Sequence, residues 1–387
     1  MTSGVIGAVA VVGGGIAGIQ AALDLAEQGF KVYLLEEKPS IGGHMAQLDK
    51  TFPTLDCSIC IEAPKMVEAA RHPNIEILTG CEVLSLEGVP GNFKLKVQKR
   101  ARFVVEDKCR GCGSCAEACR MRSKLPNEFD EGRSKRSAIY LYFAQAVPMV
   151  ASVDPNACLY VRKGVCGKVT RRYLKRFWEL RGIQLDVDER EALPACETAC
   201  EAEAIDFSQK DEILELDVGA VILATGYELF NPSPLSEYGY GRYANVVTAM
   251  EFERMICASG PFAGHLVRPS DGKEPRSVAF IQCVGSRDVK HARYCSAVCC
   301  MFAVKEAILL KEHYPDAEVH ILYIDLRAFG KGFEEFVRRA ADDYGINFIR
   351  ARPGELEEDA DRNIIIWYED TAKGELRRLK VDLVVLC

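Results

Sequence analysis

The residues of this chain that could do chemistry are its cysteines, and four of them follow one another closely. Cys109, Cys112, Cys115 and Cys119 are spaced CxxCxxCxxxC. Three thiolates on one tight turn can bind three corners of a [4Fe–4S] cluster, whereas the fourth cysteine of such a run serves a second cluster. A zinc site is the alternative interpretation. The motif therefore predicts an iron–sulfur site.

A second set of cysteines is spaced less regularly. Its intervals are seven, 29 and three residues, so a long insertion divides the CxxC that a second cluster motif would show. We expect a second cluster here, and a degenerate site is the alternative. By the crossover rule, Cys119 would then ligate the second cluster and Cys200 the first. The members of this set are Cys158, Cys166, Cys196 and Cys200.

A third set lies in the stretch FIQCVGSRDVKHARYCSAVCC, residues 280–300. The stretch reads as strand, loop and helix, and a nucleotide-binding loop of this kind needs glycines after its strand. Here the loop carries thiols, and we expect a non-standard [4Fe–4S] cluster in the space of a pyridine nucleotide. Buried structural thiols with one redox pair are the alternative. The four predicted ligands are Cys283, Cys295, Cys299 and Cys300.

The remaining cysteines carry weaker signals. Cys57 and Cys60 form a CxxC that could be a redox dithiol, a pair of metal ligands or packing thiols, and the sequence leaves these open. Cys81, Cys257 and Cys387 have no partner spacing, so we expect them to pack as small apolar residues.

Composition limits what the chain could do. It has 387 residues, 17 cysteines and a formal net charge of −7, with 27% charged residues. This balance gives no reason to expect nucleic-acid binding, and no apolar run approaches the ~20 residues of a membrane span. The apolar start lacks the basic region and cleavage site of a signal peptide. We therefore expect a cytoplasmic protein, in which clustered cysteines bind metal or do redox work.

A βαβ pattern opens the chain and must position a cofactor. A strand at 8–12, a helix at 16–28 and a strand at 31–36 flank Gly13, Gly15 and Gly18, which form GxGxxG. The three glycines permit, in order, a tight turn, backbone approach to a pyrophosphate and close helix packing. Glu36 ends the second strand and can accept the ribose hydroxyls. These features predict dinucleotide binding.

The segment VILATG, residues 221–226, favours FAD over NAD, because such a strand returns to the first domain after an insertion. The stretch KPSIGGHMAQ, residues 38–47, adds a second glycine pair where a loop could pass close to a flavin. The predicted flavin contacts are Gly13, Gly14, Gly15, Ala17, Gly18, Glu36, Glu37, Lys38, Gly42, Gly43, Met45, Thr225 and Gly226.

The order of the patterns predicts an α/β flavoprotein with two Rossmann-like domains and an inserted α+β ferredoxin-like domain. In the second Rossmann-like domain we expect strands at 277–282, 318–325 and 347–350 and helices at 297–313 and 333–344. A hairpin, 364–368 with 376–379, and a last strand at 381–387 follow. The predicted domains are 1–105 (FAD-binding, first part), 106–207 (inserted two-cluster domain), 208–240 (FAD-binding, return segment), 241–352 (second Rossmann-like domain with the CxxxCC site) and 353–387 (return toward the FAD domain, truncated).

Several long stretches give the chain a family resemblance. They are GGGIAG, LDKTFPTLDCSICIEAPKMVE, RHPNIEILT, CRGCGSCAEAC, LATGYELFNPSPLSEYGYG, FIQCVGSRD, YCSAVCC and DLRAFGKGFEEF. With them the chain closely resembles the A-type subunit of heterodisulfide reductase, over nearly all of its 387 residues. The family implies a thioredoxin-reductase-like core binding FAD, an inserted two-cluster ferredoxin module and an extra cluster at the CxxxCC region.

The resemblance also implies an activity and partners. FAD would bifurcate electron pairs, sending one electron toward ferredoxin and the other toward the heterodisulfide-reducing subunits. The implied partners are B-type and C-type subunits, ferredoxin and an electron-input subunit linked to hydrogenase, formate or NADH. Because the family has a further C-terminal portion, we expect this chain to be a truncated product or a fragment. No catalytic side chain is expected, since the cofactors do the chemistry.

Two other functions remain in competition. One is an NAD(P)H-dependent disulfide reductase using Cys57 and Cys60, which would need a second glycine-rich loop. The other is an iron–sulfur scaffold subunit with a vestigial flavin fold. A basic segment, KVTRRYLKRFWELR at 168–181, reads as a solvated helix face or as a docking face for an acidic electron carrier. Its basic residues include Arg171, Arg172, Lys175 and Arg176.

Overall fold

The computed structural model describes residues 4–164, 166, 194–371 and 373–387. The basic segment at 168–181 lies outside these residues. The chain forms two compact units: unit 1 comprises Met1–Ala46 and Cys60–Gly226, and unit 2 comprises Gln47–Ile59 and Tyr227–Cys387. The helices of the described part are α1 (Ile16–Glu27), α2 (Ser58–Arg71), α3 (Ser114–Ala118), α4 (Leu159–Lys163), α5 (Ala195–Thr198), α6 (Ala249–Ile256), α7 (Cys299–His313) and α8 (Phe333–Asp342).

Unit 1 is built on a parallel sheet with a smaller antiparallel sheet beside it. The parallel sheet has the order β11-β1-β2-β3, and the antiparallel sheet has the order β10-β5-β4. The strands of unit 1 are β1 (Ala8–Val12), β2 (Lys31–Glu36), β3 (Ile75–Thr79), β4 (Cys81–Val89), β5 (Asn92–Lys99), β6 (Leu125–Pro126), β7 (Lys135–Arg136), β8 (Ile139–Tyr140), β9 (Ser152–Val153), β10 (Glu212–Val218) and β11 (Ala220–Leu223).

The opening βαβ prediction is confirmed. Strands β1 and β2 have the predicted bounds, and α1 ends one residue before the predicted end. The buried residues of α1 include Ile19, Leu23 and Ala26, which recur at helical spacing and so line one face of the helix. Val11 pairs with Leu34 on one side and with Ile222 on the other, which makes β1 a central strand. The carboxyl ends of β1, β2 and β11 therefore meet at one edge of the sheet.

The strand predicted within residues 221–226 is β11, which ends at Leu223, and a second strand, β10, directly precedes it. The two strands belong to different sheets. Gly219 separates them, and its backbone N–H donates to the carbonyl of Ala8 at 2.8 Å. A Cβ atom at Gly219 would clash with the carbonyl of Ile6, so only glycine lets the chain turn between the sheets here.

The inserted segment between β5 and β10 has little regular structure. Its described part contains short helices α3 to α5 and two two-stranded ladders, β6 with β7 and β8 with β9. Its apolar core includes Val104, Ile139 and Val153, and it also contains the side chains of three cysteines, Cys115, Cys158 and Cys196. The predicted cysteine ligands thus occupy core positions of this segment.

Unit 2 is a three-layer structure. Its five-stranded parallel sheet has the order β12-β19-β13-β14-β15, and a three-stranded antiparallel sheet has the order β16-β17-β18. Phe280 faces the core that includes residues of α6, α7 and α8, whereas Ile281 faces the core shared with β16 and β17. The strands are β12 (Val246–Thr248), β13 (Ser277–Ile281), β14 (Glu318–Tyr323), β15 (Asn347–Arg350), β16 (Pro353–Glu358), β17 (Ile364–Asp370), β18 (Glu375–Val381) and β19 (Leu383–Leu386).

The elements predicted for unit 2 are confirmed, but its limits differ from the predicted ones. Segment 353–387 does not return toward the FAD-binding domain: β19 lies between β12 and β13, where Val384 pairs with Val246 and with Ala279. Residues 47–59 and 227–240 also belong to unit 2. Strand pairing across this distance in sequence leaves no local signal, so the patterns of single segments did not reveal it. Within the described residues, no helix has the length and apolarity to cross a membrane.

Candidate flavin and iron–sulfur sites

The turn between β1 and α1 depends on two glycines. Gly13 has a φ of 109°, a value that side-chain-bearing residues rarely adopt, and a Cβ there would clash with the carbonyl of Ala224. A Cβ at Gly18 would clash with the carbonyl of Gly13. These contacts bring the turn, the first helical turn of α1 and the end of β11 together.

Gly15 differs from these two glycines, because the space beside it is open. The nearest heavy atom to its Cβ position is the Cα of Gly43 at 3.8 Å. Gly15 is the N-cap of α1 and contributes no side-chain hydrogen bond to the helix. The first backbone N–H groups of α1 therefore remain available, and the helix N-terminus adds partial positive charge. Such a place suits the diphosphate of a dinucleotide.

Glu36 is held in a fixed position beside this turn. Its Oε2 accepts a hydrogen bond from the backbone N–H of Gly14 at 2.8 Å, and its Oε1 accepts from that of Lys38 at 2.8 Å. Burial raises the pKa of Glu36, and the two hydrogen bonds oppose that shift. Each carboxylate oxygen has a further acceptor site, so the side chain can still bind ribose hydroxyls.

The second glycine pair crosses the first loop. The backbone N–H of Gly42 donates to the carbonyl of Gly14 at 2.7 Å, and a Cβ on Gly43 would lie 2.9 Å from the Cα of Gly15. Phe143, which belongs to the inserted segment, lies 3.4 Å from the Cβ position of Gly42. We call the two crossing glycine loops, residues 13–15 and 38–43, the flavin cradle. The insertion therefore contributes an aromatic side chain to the wall of this cradle, and sequence reasoning did not detect this.

The other predicted flavin contacts follow the same strand ends. Ala17 lies in the first turn of α1, and Met45 begins a short 3-10 turn. Thr225 and Gly226 come directly after β11, and nothing lies within 4 Å of the Cβ position of Gly226. Glu37 forms an exposed ion pair, its Oε1 being 3.7 Å from Nη1 of Arg100. These residues and the glycine loops fit a dinucleotide along the carboxyl edge of the sheet.

In the insertion, the first three cysteines of the CxxCxxCxxxC motif lie with Cys200. Burial, followed by the charges of the sulfurs of Cys200, Cys109 and Cys112, raises the pKa of Cys115 to about 12. The Cys200 sulfur accepts a hydrogen bond from the backbone N–H of Ala204 at 3.3 Å. Such N–H donors stabilise thiolate charge and tune cluster potentials. The four sulfurs are therefore close enough to interact, and the ligand role of Cys200 stays a prediction.

The fourth cysteine of the motif lies with the second set. Burial raises the pKa of Cys196, and the next contributions come from the sulfurs of Cys119, Cys166 and Cys158. These four cysteines line a pocket whose other lining residues are mostly apolar and include Ile139, Val153 and Phe207. The Cys119 sulfur accepts from the backbone N–H of Met121 at 3.4 Å. A thiol-lined, apolar pocket suits a cluster that must be insulated from water.

The same geometry does not suit zinc. In the described part of the chain, no three His, Cys, Asp or Glu side chains converge closely enough to hold a single metal ion. A structural zinc ion draws its thiolates to about 2.3 Å from one point. A cubane binds each thiolate to a different iron, so its ligands can stand farther apart. The residues present therefore fit clusters better than the zinc alternative.

The CxxxCC set of unit 2 lies where β13 meets α7. Cys283 and Cys300 are buried, and Cys283 has a φ of 62°, so the loop turns sharply directly after β13. Hydrogen bonds from Cys283 and Cys300 lower the pKa of Cys299, which concentrates thiolate character on that sulfur. The Cys295 sulfur accepts from the backbone N–H of Ala297 at 3.3 Å. Cys283, Cys299 and Cys300 thus lie together, while no described contact joins the Cys295 sulfur to theirs.

Helix α7 begins at Cys299, two residues later than predicted, because Ala297 has a φ of 61° and cannot continue a helix. The adjacent Cys299 and Cys300 therefore occupy the first helical turn, as the sequence led us to expect. After β13 the chain has Gln282, Cys283, Val284 and a single glycine, Gly285, and no GxGxxG follows. The ring of Phe230 covers Gly285 and would clash with a Cβ atom there, so the loop lacks the open glycine backbone of unit 1.

Three residues near these sites have no motif that would have revealed them. Arg287 bonds Asp325 and contributes positive charge at Cys283. Burial raises the pKa of Cys387, with further contributions from Glu306 and Cys299, so this thiol is close to the CxxxCC set. Arg102 is buried beside Cys109.

Cys57 and Cys60 are each disulfide-bonded, whereas the other cysteines are free thiols. In this state they cannot act as thiolate ligands, which leaves the redox and packing interpretations open.

Comparison with known proteins agrees with the site chemistry. The model of the family described as FAD dependent oxidoreductase matches residues 8–53, which include the β1–α1 turn, Glu36 and both glycine loops. The chain is 50% identical over 378 residues to the A-type iron-sulfur subunit of the CoB–CoM heterodisulfide reductase of Methanocaldococcus jannaschii, covering 97% of this chain and 52% of that protein. It is 48% identical over 377 residues to the A-type subunit of the H(2):CoB–CoM heterodisulfide,ferredoxin reductase of Methanothermobacter thermautotrophicus, with the same shares covered.

The chain thus spans about half the length of the curated relatives that it matches. Among solved structures, it is similar to a thioredoxin reductase of Lactococcus lactis, with 15% identity and a TM-score of 0.45 over 98% of this chain and 76% of that one.

Proposed function

We propose that this chain, which belongs to the family of A-type heterodisulfide reductase subunits along the half of their length that it spans, carries electrons between FAD and [4Fe–4S] clusters. FAD exchanges electrons in pairs or singly, and a cluster exchanges them singly. The protein supplies binding, insulation and control of potential. No side chain of the proposal acts as a general acid or base.

The residues of unit 1 that would hold FAD are those at the carboxyl edge of its parallel sheet. The N-terminus of α1 and the open backbone at Gly15 would bind the diphosphate, and Glu36 would bind a ribose. Gly42 and Gly43 would let the second loop pass close to the cofactor. The match of this stretch to the FAD dependent oxidoreductase family supports the choice of FAD.

The observation that carries the proposal is the sorting of eight cysteines in the insertion into two sets of four. Cys200 lies with the first three cysteines of the motif, and Cys119 lies with the second set. The crossover rule predicts this exchange from the motif spacing. The two sets support two clusters in the insertion, and the CxxxCC residues of unit 2 support a third.

The finer part of the proposal concerns partners. We infer that electron pairs are split at the flavin, one electron going toward ferredoxin and the other toward B-type and C-type subunits. The names of the relatives from Methanothermobacter thermautotrophicus and Methanococcus maripaludis include ferredoxin, and the second also includes formate. An electron-input subunit linked to hydrogenase, formate or NADH would complete the complex.

The test is cofactor analysis of protein prepared and reconstituted without oxygen. Three [4Fe–4S] clusters and one flavin require about twelve iron atoms and one FAD per chain. A count near eight would remove the cluster of unit 2, and a count near zero with zinc present would overturn the proposal. Clusters without FAD would favour the scaffold function.

The disulfide-bonded state of Cys57 and Cys60 keeps one other candidate in consideration, an NAD(P)H-dependent disulfide reductase. Mixing the anaerobic protein with NADPH separates the two functions. We expect no rapid bleaching of the flavin, because the loop after β13 has one glycine, Gly285, and lacks the GxGxxG pattern that a nicotinamide cofactor needs. Rapid bleaching would favour the reductase.

A further inference from the structure

Arg102 is a buried cation in unit 1 that neither the motifs nor the comparisons assign to a role. It follows β5 and precedes the first cysteine motif by seven residues, and it is 8% exposed. Its Nη1 donates to the carbonyl of Val150 at 3.2 Å, and its Nη2 donates to the carbonyl of Pro39 at 2.9 Å and to the hydroxyl of Thr79. Its Nε lies 3.5 Å from Oε1 of Glu106.

These partners belong to two different sites. Pro39 lies in the loop that runs from Glu36 to the second glycine pair, so it is part of the flavin cradle. Val150 and Glu106 belong to the insertion, and Glu106 precedes Cys109 by three residues. The planar guanidinium binds the loop of Pro39 and the insertion at the same time and in a fixed geometry, which an ammonium group could not do.

The same two regions are joined a second time beside Arg102. The backbone N–H of Ile41 donates to the carbonyl of Val147 at 3.0 Å, and the N–H of Val147 donates to the hydroxyl of Ser40 at 2.8 Å. The cradle loop and the insertion are therefore fixed to each other at adjacent points. Such a junction would keep the distance between a bound flavin and the first cluster constant.

The charge of Arg102 is only partly compensated. Among the described residues its one carboxylate partner is Glu106, which is 38% exposed and also lies 3.9 Å from Lys99. The backbone N–H of Cys109 donates to the carbonyl of Glu106 at 3.3 Å, so the cysteine lies next to the residue that pairs with Arg102. Burial lowers the pKa of Arg102, and the charges of Glu106 and Cys109 oppose that shift. In a partly buried site of low effective dielectric, a cation stabilises added negative charge more than it would in water.

We propose that Arg102 is a positioning residue that joins the flavin cradle to the first cluster motif and whose positive charge raises the reduction potential of the cluster held by Cys109, Cys112, Cys115 and Cys200. On reduction the cluster gains one electron and one unit of negative charge, and Arg102 stabilises that reduced form. The proposal rests on the proposed function, because it requires a cluster at these four cysteines.

The experiment is a redox titration of the reconstituted protein, followed by electron paramagnetic resonance, in which dithionite supplies one electron per cluster. Arg102→Gln removes the charge but keeps hydrogen-bond donors for the two carbonyls. We expect at least a tenfold shift of the one-electron equilibrium toward the oxidised cluster, which is about 59 mV. Arg102→Lys keeps the charge, and we expect its potential to stay within a threefold shift of the equilibrium.

Arg100 provides the matched control, because it carries the same charge two residues away but is 45% exposed and bonds Glu82 on the surface. Arg100→Gln should leave the potential unchanged. An unchanged potential in Arg102→Gln, or an equal shift in Arg102→Lys, would overturn the inference. If the glutamine variant does not fold, Arg102→Met, which also removes the charge, takes its place with the same two outcomes. Wild-type protein without any cluster at these cysteines would instead contradict the proposed function.

Discussion

The two units of this protein each place a loop between the first strand of a parallel βαβ unit and its helix, and the two loops are filled differently. In unit 1 the loop after β1 contains Gly13 and Gly15, and its backbone is open to a ligand at Gly15. In unit 2 the loop after β13 contains Cys283, which has a positive φ although it carries a side chain. A glycine loop presents backbone N–H groups, whereas the cysteine loop presents sulfur.

The comparison teaches that the fold alone does not determine the ligand of such a loop. The parallel strands and the helix N-terminus recur in both units, and they supply the same partial charge at the same edge of the sheet. Under the proposed function, the side chains at a few positions would then decide between a dinucleotide and an iron–sulfur cluster. Function therefore depends on the site and not on the Rossmann-like architecture.

The largest expected effect concerns the insertion. It tests whether the cysteines there hold two clusters in the crossed arrangement. Cys119→Ser should remove the cluster of the second set and leave the first intact, although Cys119 belongs to the first motif in sequence. Cys200→Ser should do the reverse. Each variant should lose about four of about twelve iron atoms and a different paramagnetic signal.

Cys81→Ser is the matched control for these variants, because Cys81 is a buried free thiol of unit 1 outside both sets. Its iron content should equal that of the wild type. If Cys119→Ser removed the signal of the first cluster instead, the crossover assignment would be wrong.

The next effect sharpens the description of the glycine loop. Gly15→Ala should fold normally, because its φ is −78° and the nearest atom to the new methyl group is 3.8 Å away. The methyl would occupy the space where the diphosphate approaches the backbone. We expect FAD affinity to fall by about 100-fold, or about 2.8 kcal/mol, measured by flavin fluorescence.

Gly18→Ala separates packing from binding in the same loop. Its Cβ would clash with the carbonyl of Gly13, so this variant should lower the melting temperature of the protein without cofactor as well as FAD affinity. Equal melting temperatures for the two variants would contradict the assignment of different roles to Gly15 and Gly18.

Both units bury carboxyl groups. Unit 2 buries Glu306 and the pair of Glu253 with Lys305, and unit 1 buries Glu62, which has no hydrogen-bond partner among the described residues. Burial raises the pKa of Glu62 from 4.5 to about 8. The folded state therefore holds the proton of Glu62 more tightly than the unfolded state does. As a result, the free energy of unfolding is highest below pH 4.5 and falls as the pH rises from 4.5 toward 8.

Between pH 6 and pH 8 this loss amounts to about 2 kcal/mol. In Glu62→Gln the loss should disappear, so the variant should be more stable than the wild type at pH 8 by urea unfolding. Glu76→Gln, on an exposed side chain of β3, should leave the pH dependence unchanged. A Glu62→Gln variant with the pH profile of the wild type would show that Glu62 is ionised in the folded protein.

The smallest effect concerns Glu36, the acidic residue that ends β2 beside the glycine loop. The two carboxylate oxygens of Glu36 accept hydrogen bonds from the backbone N–H groups of Gly14 and Lys38. Glu36→Gln replaces one of these oxygens with an amide nitrogen, which donates, so one of the two N–H groups loses its acceptor. We expect FAD affinity to fall by about tenfold, or about 1.4 kcal/mol. Unchanged affinity would mean that Glu36 does not bind the cofactor ribose.

Sequence could predict what depends on short segments. Hydrophobic periodicity predicts the strands around GxGxxG and the helix that begins at Cys299. Residue spacing reveals the CxxCxxCxxxC motif. The separation of β10 from β11 at Gly219 and the insertion of β19 between β12 and β13 depend on contacts between distant segments. The same is true of Phe143 against Gly42 and of Arg102 against Pro39, because nothing in the local sequence indicates what a buried side chain contacts.

The measurement that tests the central claim most directly is the cofactor content of Cys283→Ser, prepared without oxygen beside the wild type. The account predicts a loss of about four iron atoms and of one cluster signal, with one FAD retained. Cys257→Ser, a buried thiol of the same unit outside the set, should match the wild type. If Cys283→Ser kept all of its iron, or if the wild type bound NADPH in the loop after β13, the account would be contradicted.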